Sequence, residues 1–364
     1  MEVLKAANRR QAAGADVLHL ELGEPGGGAP PKALAAAQTA LAGRLGYTEA
    51  LGLPSLRARI GRHYRDAYGI SVEAERIAIT TGSSAGFLLA FLAAFGDGAR
   101  VGIAEPGYPA YRNILAALGM TPVGIPTGPE TRFQPTPELL GRAGRLDGLI
   151  VASPANPTGT MLDAPAMRAI AEWCAANGVR LVSDEVYHGI TFGTRAVCAL
   201  EVTPDAIAVN SFSKYFSLTG WRVGWAVLPP DLVDYVERLA QNLYISPPTI
   251  SQIAAEAAFD DATFLDAKVA GYARTRALLL EELPRAGFAR LAPADGAFYL
   301  FADVSELTGD STAFCERMLA ETGVAATPGI DFDPVRGKRF LRFAIAGPGE
   351  QMAEAARRLR AWKR

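Results

Sequence analysis

A chain of 364 residues predicts roughly two domains, and its composition, 49% hydrophobic and 20% charged, is typical of a globular protein with a substantial core. The net charge of −2 gives no electrostatic reason to expect nucleic acid or an anionic membrane as a partner. Three cysteines and three histidines are widely scattered, which argues against a disulfide framework or a metal site. The N-terminus has no apolar signal core and no apolar run is long enough to span a bilayer, so we expect a cytoplasmic protein.

Short apolar stretches alternate with helical patterns from residue 16 to about residue 244. Strands are predicted at 16–22, 76–80, 100–104, 121–125, 148–153, 179–183, 206–210 and 224–228, and helices at 31–41, 54–68, 85–95, 111–118, 165–177 and 231–243. Because these strands are apolar on both faces, they predict a mostly parallel sheet with helices packed on each side. The expected fold class is α/β, with a three-layer αβα large domain.

The chain beyond residue 244 has a different pattern. Long helical patterns at 249–259, 263–283 and 312–321 alternate with fewer strands, at 296–302, 324–327 and 339–345. This pattern predicts a smaller α+β domain that the N-terminal segment completes. We therefore expect a large domain over residues 26–246 and a small domain formed by residues 1–25 and 247–364.

Two glycine-containing turns are candidate ligand contacts. Residues 23–28 read Gly-Glu-Pro-Gly-Gly-Gly, and because no Gly-Lys-Ser/Thr follows, they favour a close backbone approach to a ligand or a domain junction over a phosphate loop. Residues 81–84 read Thr-Gly-Ser-Ser between a strand and a helix, an arrangement that binds phosphate through free N–H groups and the helix dipole. An ordinary serine N-cap explains the same four residues.

Polar and aromatic residues also follow four predicted strands. Tyr108 follows the strand at 100–104 and Asn156 follows 148–153, while Asp184 and Tyr187 lie at the end of 179–183. A serine and a lysine follow the strand at 206–210. Ligands of such sheets bind just past the carboxyl ends of the strands, so four polar ends and the turn at 81–84 indicate one shared crevice.

Lys214 is one of six lysines and the one set among serines, aromatics and glycines, in Asn-Ser-Phe-Ser-Lys-Tyr-Phe-Ser-Leu-Thr-Gly-Trp-Arg-Val-Gly-Trp at residues 210–225. A desolvated lysine has a lowered pKa and is a suitable nucleophile for a Schiff base. Taken alone, the segment is equally consistent with a surface turn in which Arg222 pairs with a nearby acid. A reactive lysine, a phosphate-binding turn, an arginine, a carboxylate and an aromatic ring are together what pyridoxal 5′-phosphate requires.

The chain resembles the class I/II aminotransferases of the aspartate aminotransferase superfamily, the fold type I pyridoxal-phosphate enzymes. The motif Ser-Phe-Ser-Lys-x-Phe-x-Leu-Thr-Gly-Trp-Arg-x-Gly-Trp carries the resemblance, with Asn-Pro-Thr-Gly at 156–159 and Asp-Glu-x-Tyr at 184–187 before it. The similarity runs from about residue 20 to about residue 346. It implies pyridoxal 5′-phosphate as the cofactor.

The resemblance also implies a role for each matching residue. Lys214 matches the lysine that binds the cofactor covalently and then moves a proton, and Asp184 matches the aspartate that pairs with the pyridine nitrogen. Tyr108 matches the ring that stacks on the cofactor, whereas Asn156 and Tyr187 match the partners of its phenolic oxygen. The residues that match the phosphate-binding set are Ser83, Ser84, Ser211, Ser213 and Arg222.

Three further residues match family positions outside this set. Arg342 resembles the arginine that clamps the α-carboxylate of the substrate in bidentate fashion, and Gly23 resembles a glycine whose backbone closes over that carboxylate. Tyr47 resembles a tyrosine that reaches the phosphate of the neighbouring subunit's cofactor, which implies a homodimer with shared active sites. Gly26-Gly27-Gly28 departs from the bulkier sequence common at that position.

The activity implied is the transfer of an amino group between an L-amino acid and a 2-oxo acid, by a ping-pong mechanism through pyridoxamine phosphate. One substrate pair is expected to be glutamate/2-oxoglutarate or alanine/pyruvate. Residues 243–248 carry no basic residue where some aspartate enzymes of the family place an arginine, which favours neutral or aromatic donors over aspartate. Because the same site supports β-elimination, a carbon–sulfur lyase is the alternative.

Overall fold

The computed structural model describes residues 2–363, and Met1 and Arg364 lie outside the described residues. A seven-stranded sheet forms its centre. Its strands are β2 (Ile77–Thr80), β3 (Arg100–Glu105), β4 (Thr121–Pro126), β5 (Gly148–Ala152), β6 (Arg180–Asp184), β7 (Ile207–Ser211) and β8 (Gly224–Val227). They lie in the order β2-β8-β7-β6-β5-β3-β4, in which β8 is antiparallel to β2 and β7 and the other neighbours are parallel.

Helices cover both faces of this sheet because its strands are apolar on both sides. The helices of this region are α2 (Pro31–Leu41), α3 (Pro54–Tyr68), α4 (Ser83–Ala94), α5 (Pro109–Ala117), α6 (Pro137–Arg142), α7 (Ala164–Asn177), α8 (Pro230–Tyr244) and α9 (Thr249–Ala258). Successive side chains of β2 point to opposite faces of the sheet and show which helices cover each face. Ile79 packs in one core cluster with α3 and α9, and Ala78 packs in another with α4 and α8. The result is a helix–sheet–helix sandwich.

A second, four-stranded sheet has the order β12-β13-β10-β9. Its strands are β9 (Arg290–Leu291), β10 (Tyr299–Asp303), β12 (Thr327–Pro328) and β13 (Phe340–Ala344), packed with α10 (Ala262–Arg285), α11 (Ser311–Thr322) and α12 (Gly349–Ala361). The N-terminal α1 (Glu2–Ala12) and β1 (Leu18–His19) belong to this part of the molecule, because β1 pairs in parallel with β11 (Val324–Ala325). The α/β fold class is confirmed; the predicted domain boundaries stay a prediction.

The structure differs from the predicted elements at several ends. The strand predicted at 324–327 divides into β11 and β12, since Ala325 pairs with β1 whereas Thr327 pairs with β13. The strand predicted at 296–302 begins only at Tyr299, because Ala297 has a positive φ of 57° and turns the chain. The strand predicted at 16–22 is limited to Leu18–His19, and α6 and α12 lie outside the predicted elements.

The carboxyl ends of β2, β3, β5, β6 and β7 lie at one edge of the large sheet, as the strand directions require. The second sheet supplies β10 and β13 to the same region, through contacts described below. Among residues 2–363, none of the helices combines the length and apolar character needed to cross a bilayer.

Candidate active site

Lys214 lies in the turn that follows β7, with its side chain partly buried. Its Nζ donates a hydrogen bond of 2.7 Å to the carbonyl oxygen of Gly23. The same nitrogen lies 5.9 Å from the ring centroid of Tyr187 and 5.8 Å from that of Phe298. The amine therefore lies among a backbone carbonyl and two aromatic rings. This position argues against the alternative interpretation of the segment as a surface turn.

Burial is the main cause that lowers the pKa of Lys214 to about 8, and the nearby positive charge of Arg342 lowers the pKa further. Asp184 and Glu24 act in the opposite direction, because a carboxylate favours the charged amine. An amine with a pKa near 8 is partly neutral at physiological pH and can act as a nucleophile.

Asp184 ends β6 and is buried. Tyr111 donates a hydrogen bond from its hydroxyl to Oδ2, and the backbone N–H of Val186 donates to Oδ1 at 3.0 Å. Burial raises the pKa of Asp184 to about 6, although both hydrogen bonds and the positive charge of Lys214 oppose that shift. Because a carboxylate oxygen has two lone pairs, each oxygen of Asp184 can accept a further hydrogen bond.

Tyr108 and Tyr111 lie one helical turn apart where α5 begins. Their rings meet edge to face, with centroids 5.4 Å apart and an interplanar angle of 82°. The pKa of Tyr108 is raised by burial and then by the negative charge of Asp184, which places Tyr108 in the electrostatic field of that carboxylate. Tyr111 was not among the predicted site residues; its position three residues after Tyr108 on a helix was the available signal.

Tyr187 lies just after β6, and its hydroxyl is 2.7 Å from the hydroxyl of Tyr299 on β10. Both tyrosines are buried, and burial raises the pKa of each. The Tyr187–Tyr299 contact joins the carboxyl edge of the large sheet to the four-stranded sheet. Tyr299 was also missed in the sequence, because it lies inside a predicted strand with no polar motif around it.

Arg342 is buried in the middle of β13. Its guanidinium donates to Asn156 Oδ1 at 2.9 Å, to the Glu21 carbonyl at 2.7 Å and to Thr327 Oγ1 at 3.3 Å. Among the described residues its Nε has no hydrogen-bond partner. A buried guanidinium carries five N–H donors, so three acceptors leave donors for an anionic ligand such as a carboxylate.

Ser211 and Ser213 form a hydroxyl pair with Arg222 beside them. Ser211 Oγ donates to Ser213 Oγ at 3.0 Å, and Arg222 Nη1 donates to Ser213 Oγ at 3.3 Å and to the Thr219 carbonyl at 3.0 Å. Arg222 has a φ of 51°, an unfavourable backbone conformation for a residue with a side chain. Such strained residues cluster at ligand sites, where the surrounding structure holds them in place.

The N-terminus of α4 lies next to this arginine. The helix begins at Ser83, so the N–H groups of Ser83 and Ser84 are in the first turn, where a helix offers no internal acceptors. Gly82 precedes them with a φ of 78°, and a Cβ at Gly82 would lie 2.2 Å from Arg222 Nη2. A side chain at position 82 would therefore push the guanidinium away from this helix end, where the helix dipole also favours an anion.

Tyr47 is the predicted site residue that the structure does not bring to the crevice from within the chain. Its side chain is 82% exposed. The neighbouring backbone is anchored, because Thr249 Oγ1 donates to the Gly46 carbonyl at 2.6 Å and Thr48 N–H donates to Ser246 Oγ at 3.3 Å. The tyrosine thus projects from a fixed segment.

A cavity of about 350 Å³ opens beside the Thr219–Trp221 turn. Glu24, Gly27, Ser217 and Thr219 are among its lining residues, whereas Lys214 and Asp184 are not. Lys268 borders the region by donating to Ser217 Oγ at 2.9 Å and to the Gly28 carbonyl at 3.0 Å. The cavity therefore lies between the Thr219–Trp221 turn and the glycine-rich segment at 23–28.

The donor and acceptor set fits the chemistry of pyridoxal 5′-phosphate. Hydroxyls, first-turn N–H groups and a guanidinium meet around Gly82, where a Cβ would fill the space. A buried carboxylate, a partly buried amine with a lowered pKa and two tyrosines lie at the neighbouring strand ends. The buried Arg342 lies on the opposite sheet with an Nε that has no partner among residues 2–363. The donors around Gly82 match a phosphate, the carboxylate matches a pyridine nitrogen, the amine matches an aldehyde and Arg342 matches a substrate carboxylate. The two tyrosines add an aromatic face and a hydroxyl donor.

Comparisons with known proteins agree with this chemistry. The family model "Aminotransferase class I and II" matches residues 15–359. A valine–pyruvate aminotransferase of Mycobacterium tuberculosis is 52% identical over 368 residues, which cover 100% of this chain and 95% of that protein. A crystal structure of an aminotransferase from Mycobacterium tuberculosis has a TM-score of 0.98 at 51% identity, covering 100% of this chain and 95% of that one. Aspartate aminotransferase from Thermus thermophilus with maleate has a TM-score of 0.93 at 31% identity, covering 99% and 95%.

This chain belongs to the class I and II aminotransferases. It is a transferase of nitrogenous groups, and the predictions of the family, the fold class and the aminotransferase activity are confirmed. The three relatives named above are aminotransferases, which favours this activity over the carbon–sulfur lyase alternative. The family uses pyridoxal 5′-phosphate and acts on small amino and 2-oxo acids.

Proposed function

We propose that this chain is a pyridoxal 5′-phosphate-dependent aminotransferase that moves the amino group of a neutral aliphatic L-amino acid to pyruvate. The main supporting observation is that the Lys214 amine, which donates to the Gly23 carbonyl at 2.7 Å and whose pKa is lowered to about 8 mainly by burial, is in the electrostatic field of both Arg342 and Asp184. The substrate pair is supported by the valine–pyruvate aminotransferase that is 52% identical. The absence of a basic residue in the sequence at 243–248 supports a neutral donor as well.

The cofactor, when bound, supplies an electron sink that lets the Cα–H bond of the amino acid break. Residues proposed to hold it are Ser83, Ser84, Ser211, Ser213 and Arg222 at the phosphate, Asp184 at the pyridine nitrogen, Tyr108 on the ring face, and Asn156 and Tyr187 at the phenolic oxygen. Tyr111 holds the Asp184 carboxylate in position through its hydrogen bond.

Lys214 is proposed to bind the cofactor covalently and, once released by the substrate, to carry the proton taken from the substrate Cα. Its neutral form is accessible because burial lowers the pKa of the amine to about 8. The carbonyl oxygen of Gly23 accepts a hydrogen bond from Nζ and so orients it. An amine with a pKa near the working pH transfers protons efficiently in both directions.

Arg342 is proposed to bind the substrate α-carboxylate, with Gly23 and Asn156 beside it. The guanidinium is oriented by Asn156, Thr327 and the Glu21 carbonyl, so a carboxylate meets donors that are already fixed. Preorganised charged donors of this kind contribute strongly to affinity because little reorganisation is needed when the ligand binds.

A homodimer with shared active sites is part of the proposal. Exposed apolar side chains concentrate in two segments, Leu34, Leu41, Leu45 and Tyr47 in one and Tyr235, Leu243 and Ile245 in the other. Exposed apolar side chains mark an interaction site where they form one patch, as the proposed dimer requires of these two segments. Tyr47 would then reach the phosphate of the partner's cofactor.

A cytoplasmic location also belongs to the proposal and is supported by three free, buried thiols.

A half-reaction screen tests this proposal. The enzyme loaded with pyridoxal 5′-phosphate is mixed with single L-amino acids, and loss of the near-visible absorbance band reports conversion to the pyridoxamine form. Valine and alanine should convert the band at least about 10-fold faster than aspartate or glutamate, the size expected when a distal charge finds no partner. Pyruvate should restore the band, and Lys214→Ala should show no band. Preferential conversion by aspartate would overturn the substrate assignment.

A further inference from the structure

Tyr299 lies where three parts of the site meet. Its hydroxyl is 2.7 Å from the hydroxyl of Tyr187, and the guanidinium carbon of Arg342 lies 4.4 Å from its ring centroid. A methyl group on Gly23 would come within 2.1 Å of the Tyr299 hydroxyl, so the backbone at Gly23 passes directly against it. Packing on three sides therefore fixes the position of this hydroxyl, which is fully buried.

The Tyr187–Tyr299 pair has one proton on each hydroxyl. Only one of the two protons can occupy the hydrogen bond between them. If Tyr187 donates its proton to an anionic oxygen of a bound ligand, Tyr299 has to be the donor within the pair. Burial raises the pKa of both phenols, although the positive charge of Arg342 opposes the shift, so both protons are present at neutral pH.

We propose that Tyr299 is a positioning residue for Tyr187, donating a hydrogen bond that strengthens Tyr187 as a donor to the phenolic oxygen of the cofactor. This inference rests on the proposed function, in which Tyr187 contacts that oxygen. A hydroxyl that accepts a hydrogen bond becomes a stronger donor, because chains of hydrogen bonds polarise one another. Hydrogen-bond donors to the phenolic oxygen favour its anionic form. The two-tyrosine chain therefore lowers the pKa of the bound cofactor.

The test is a spectrophotometric pH titration of the near-visible band of the loaded enzyme. In Tyr299→Phe the ring against Arg342 is retained and only the hydroxyl is lost. The pKa read from the band should rise by about 0.5 units, a fraction of the direct effect. Tyr187→Phe should raise that pKa by about 1–2 units, because it removes a hydrogen bond to a charged oxygen.

The double variant distinguishes a role through Tyr187 from an independent one. If Tyr299 acts through Tyr187, then Tyr187→Phe/Tyr299→Phe should show the shift of Tyr187→Phe alone. Additive shifts would overturn the proposal. A 3-fluorotyrosine at position 299 gives a second measurement of opposite sign: its more acidic hydroxyl is a stronger donor, and the pKa of the bound cofactor should fall. That measurement keeps the proposal testable even if Tyr299→Phe fails to fold.

Tyr272→Phe is the matched control. Tyr272 is a buried tyrosine in the same core cluster, 5.6 Å from Phe298 between ring centroids, and its hydroxyl has no hydrogen-bond partner among residues 2–363. It should leave the titration unchanged. If Tyr187→Phe raises the pKa of the band as expected and Tyr299→Phe does not, the role of Tyr299 is overturned and the proposed function is unaffected. No titrating band in the parent enzyme, or no shift in Tyr187→Phe, would count against the proposed function itself.

Discussion

At the scale of single residues, burial pushes Lys214 and Asp184 toward their neutral forms. The pKa of Lys214 falls to about 8 and that of Asp184 rises to about 6, with burial the main cause in both. Each group opposes the shift of the other, since a carboxylate and an ammonium attract. The site therefore keeps a reactive amine and a buried acid at some cost in stability, as is common where function needs polar groups in a core.

Asp184→Asn should stabilise the cofactor-free protein. The pKa of Asp184 is about 6 in the folded chain and 3.8 in an ordinary setting, so the folded state binds the proton more tightly. Stability is then lost as pH rises between these two values, and the full penalty is present above pH 6. The variant should gain about 1–3 kcal/mol at pH 7.5 and roughly half as much at pH 5, measured by urea unfolding.

The amide in Asp184→Asn can accept from Val186 and donate to Tyr111, so the packing need not change. Activity of the loaded enzyme should be lost, because a neutral amide does not stabilise a positive ring nitrogen. A stability difference that is the same at both pH values would show that folding does not raise the pKa of Asp184.

Arg342→Ala should weaken amino-acid and 2-oxo-acid binding by about 2–5 kcal/mol, the usual result of truncating a buried partner of a charge. The measurement is the substrate concentration that half-saturates the half-reaction. Arg339→Ala is the control, since Arg339 is exposed and pairs with Asp303 at 3.2 Å just before β13. If binding weakens equally in the two variants, or does not weaken in Arg342→Ala, the substrate carboxylate binds at another residue.

The sequence motifs pointed to the residues that are proposed to contact a ligand better than to the residues that position them. Lys214, Asp184 and Asn156 follow strands within recognisable motifs. Tyr111 and Tyr299 do not, because each acts through a hydrogen bond to another side chain: Tyr111 to Asp184 and Tyr299 to Tyr187. Those contacts join residues 73 and 112 positions apart, and local sequence patterns carry no information on such pairs.

At the scale of elements, strand and helix patterns were enough to predict the large sheet, because fully apolar strands between helices permit few arrangements. They did not reveal that β8 is antiparallel, since its four residues are all buried and resemble a parallel strand. The sequence patterns also predicted one strand at 324–327 where the structure has two, β11 and β12. Only pairing partners distant in sequence, β1 for one and β13 for the other, separate these two.

The end of β2 and the start of α4 provide a test at this scale. In Gly82→Ala the added Cβ would lie 2.2 Å from Arg222 Nη2 and displace the guanidinium from the helix N-terminus. Losing one charge-assisted contact should weaken the affinity for pyridoxal 5′-phosphate about 10- to 100-fold. Equilibrium titration of the cofactor-free protein, followed at the near-visible band, gives that affinity.

Gly69→Ala is the control for backbone strain. Gly69 also has a positive φ, 71°, at the C-terminal end of α3, but an added Cβ there meets nothing within 4 Å. Both variants should lose stability, by about 1–3 kcal/mol, because alanine is strained at positive φ. Cofactor affinity should fall only in Gly82→Ala. Equal affinities in the two variants would exclude a role for the Gly82–Arg222 approach in phosphate binding.

At the scale of the whole molecule, the exposed Tyr47 and the apolar side chains near it in the sequence are where the proposed second copy of the chain would pack. The segment at 46–49 is anchored to residues 246–249, yet Tyr47 itself is 82% exposed, an unusual position for a tyrosine on a fixed backbone. Exposed Leu41 and Leu243 lie just before these two segments in the sequence. A second copy of the chain packed on this surface would bury these side chains and supply the phosphate contact in trans.

Mixed dimers test that arrangement directly. Tyr47→Phe alone should weaken cofactor affinity about 10-fold through loss of one hydrogen bond to a charged group, and Lys214→Ala alone should give no near-visible band. The mixed dimer has one Tyr47→Phe subunit and one Lys214→Ala subunit. If the tyrosine acts in trans, the site of the Tyr47→Phe subunit is complete, because that subunit keeps Lys214 and its partner supplies an intact Tyr47. That site should bind the cofactor with the parent affinity, as measured on tagged and purified mixed dimers. If the tyrosine acts within its own chain, the mixed dimer shows only the weakened affinity.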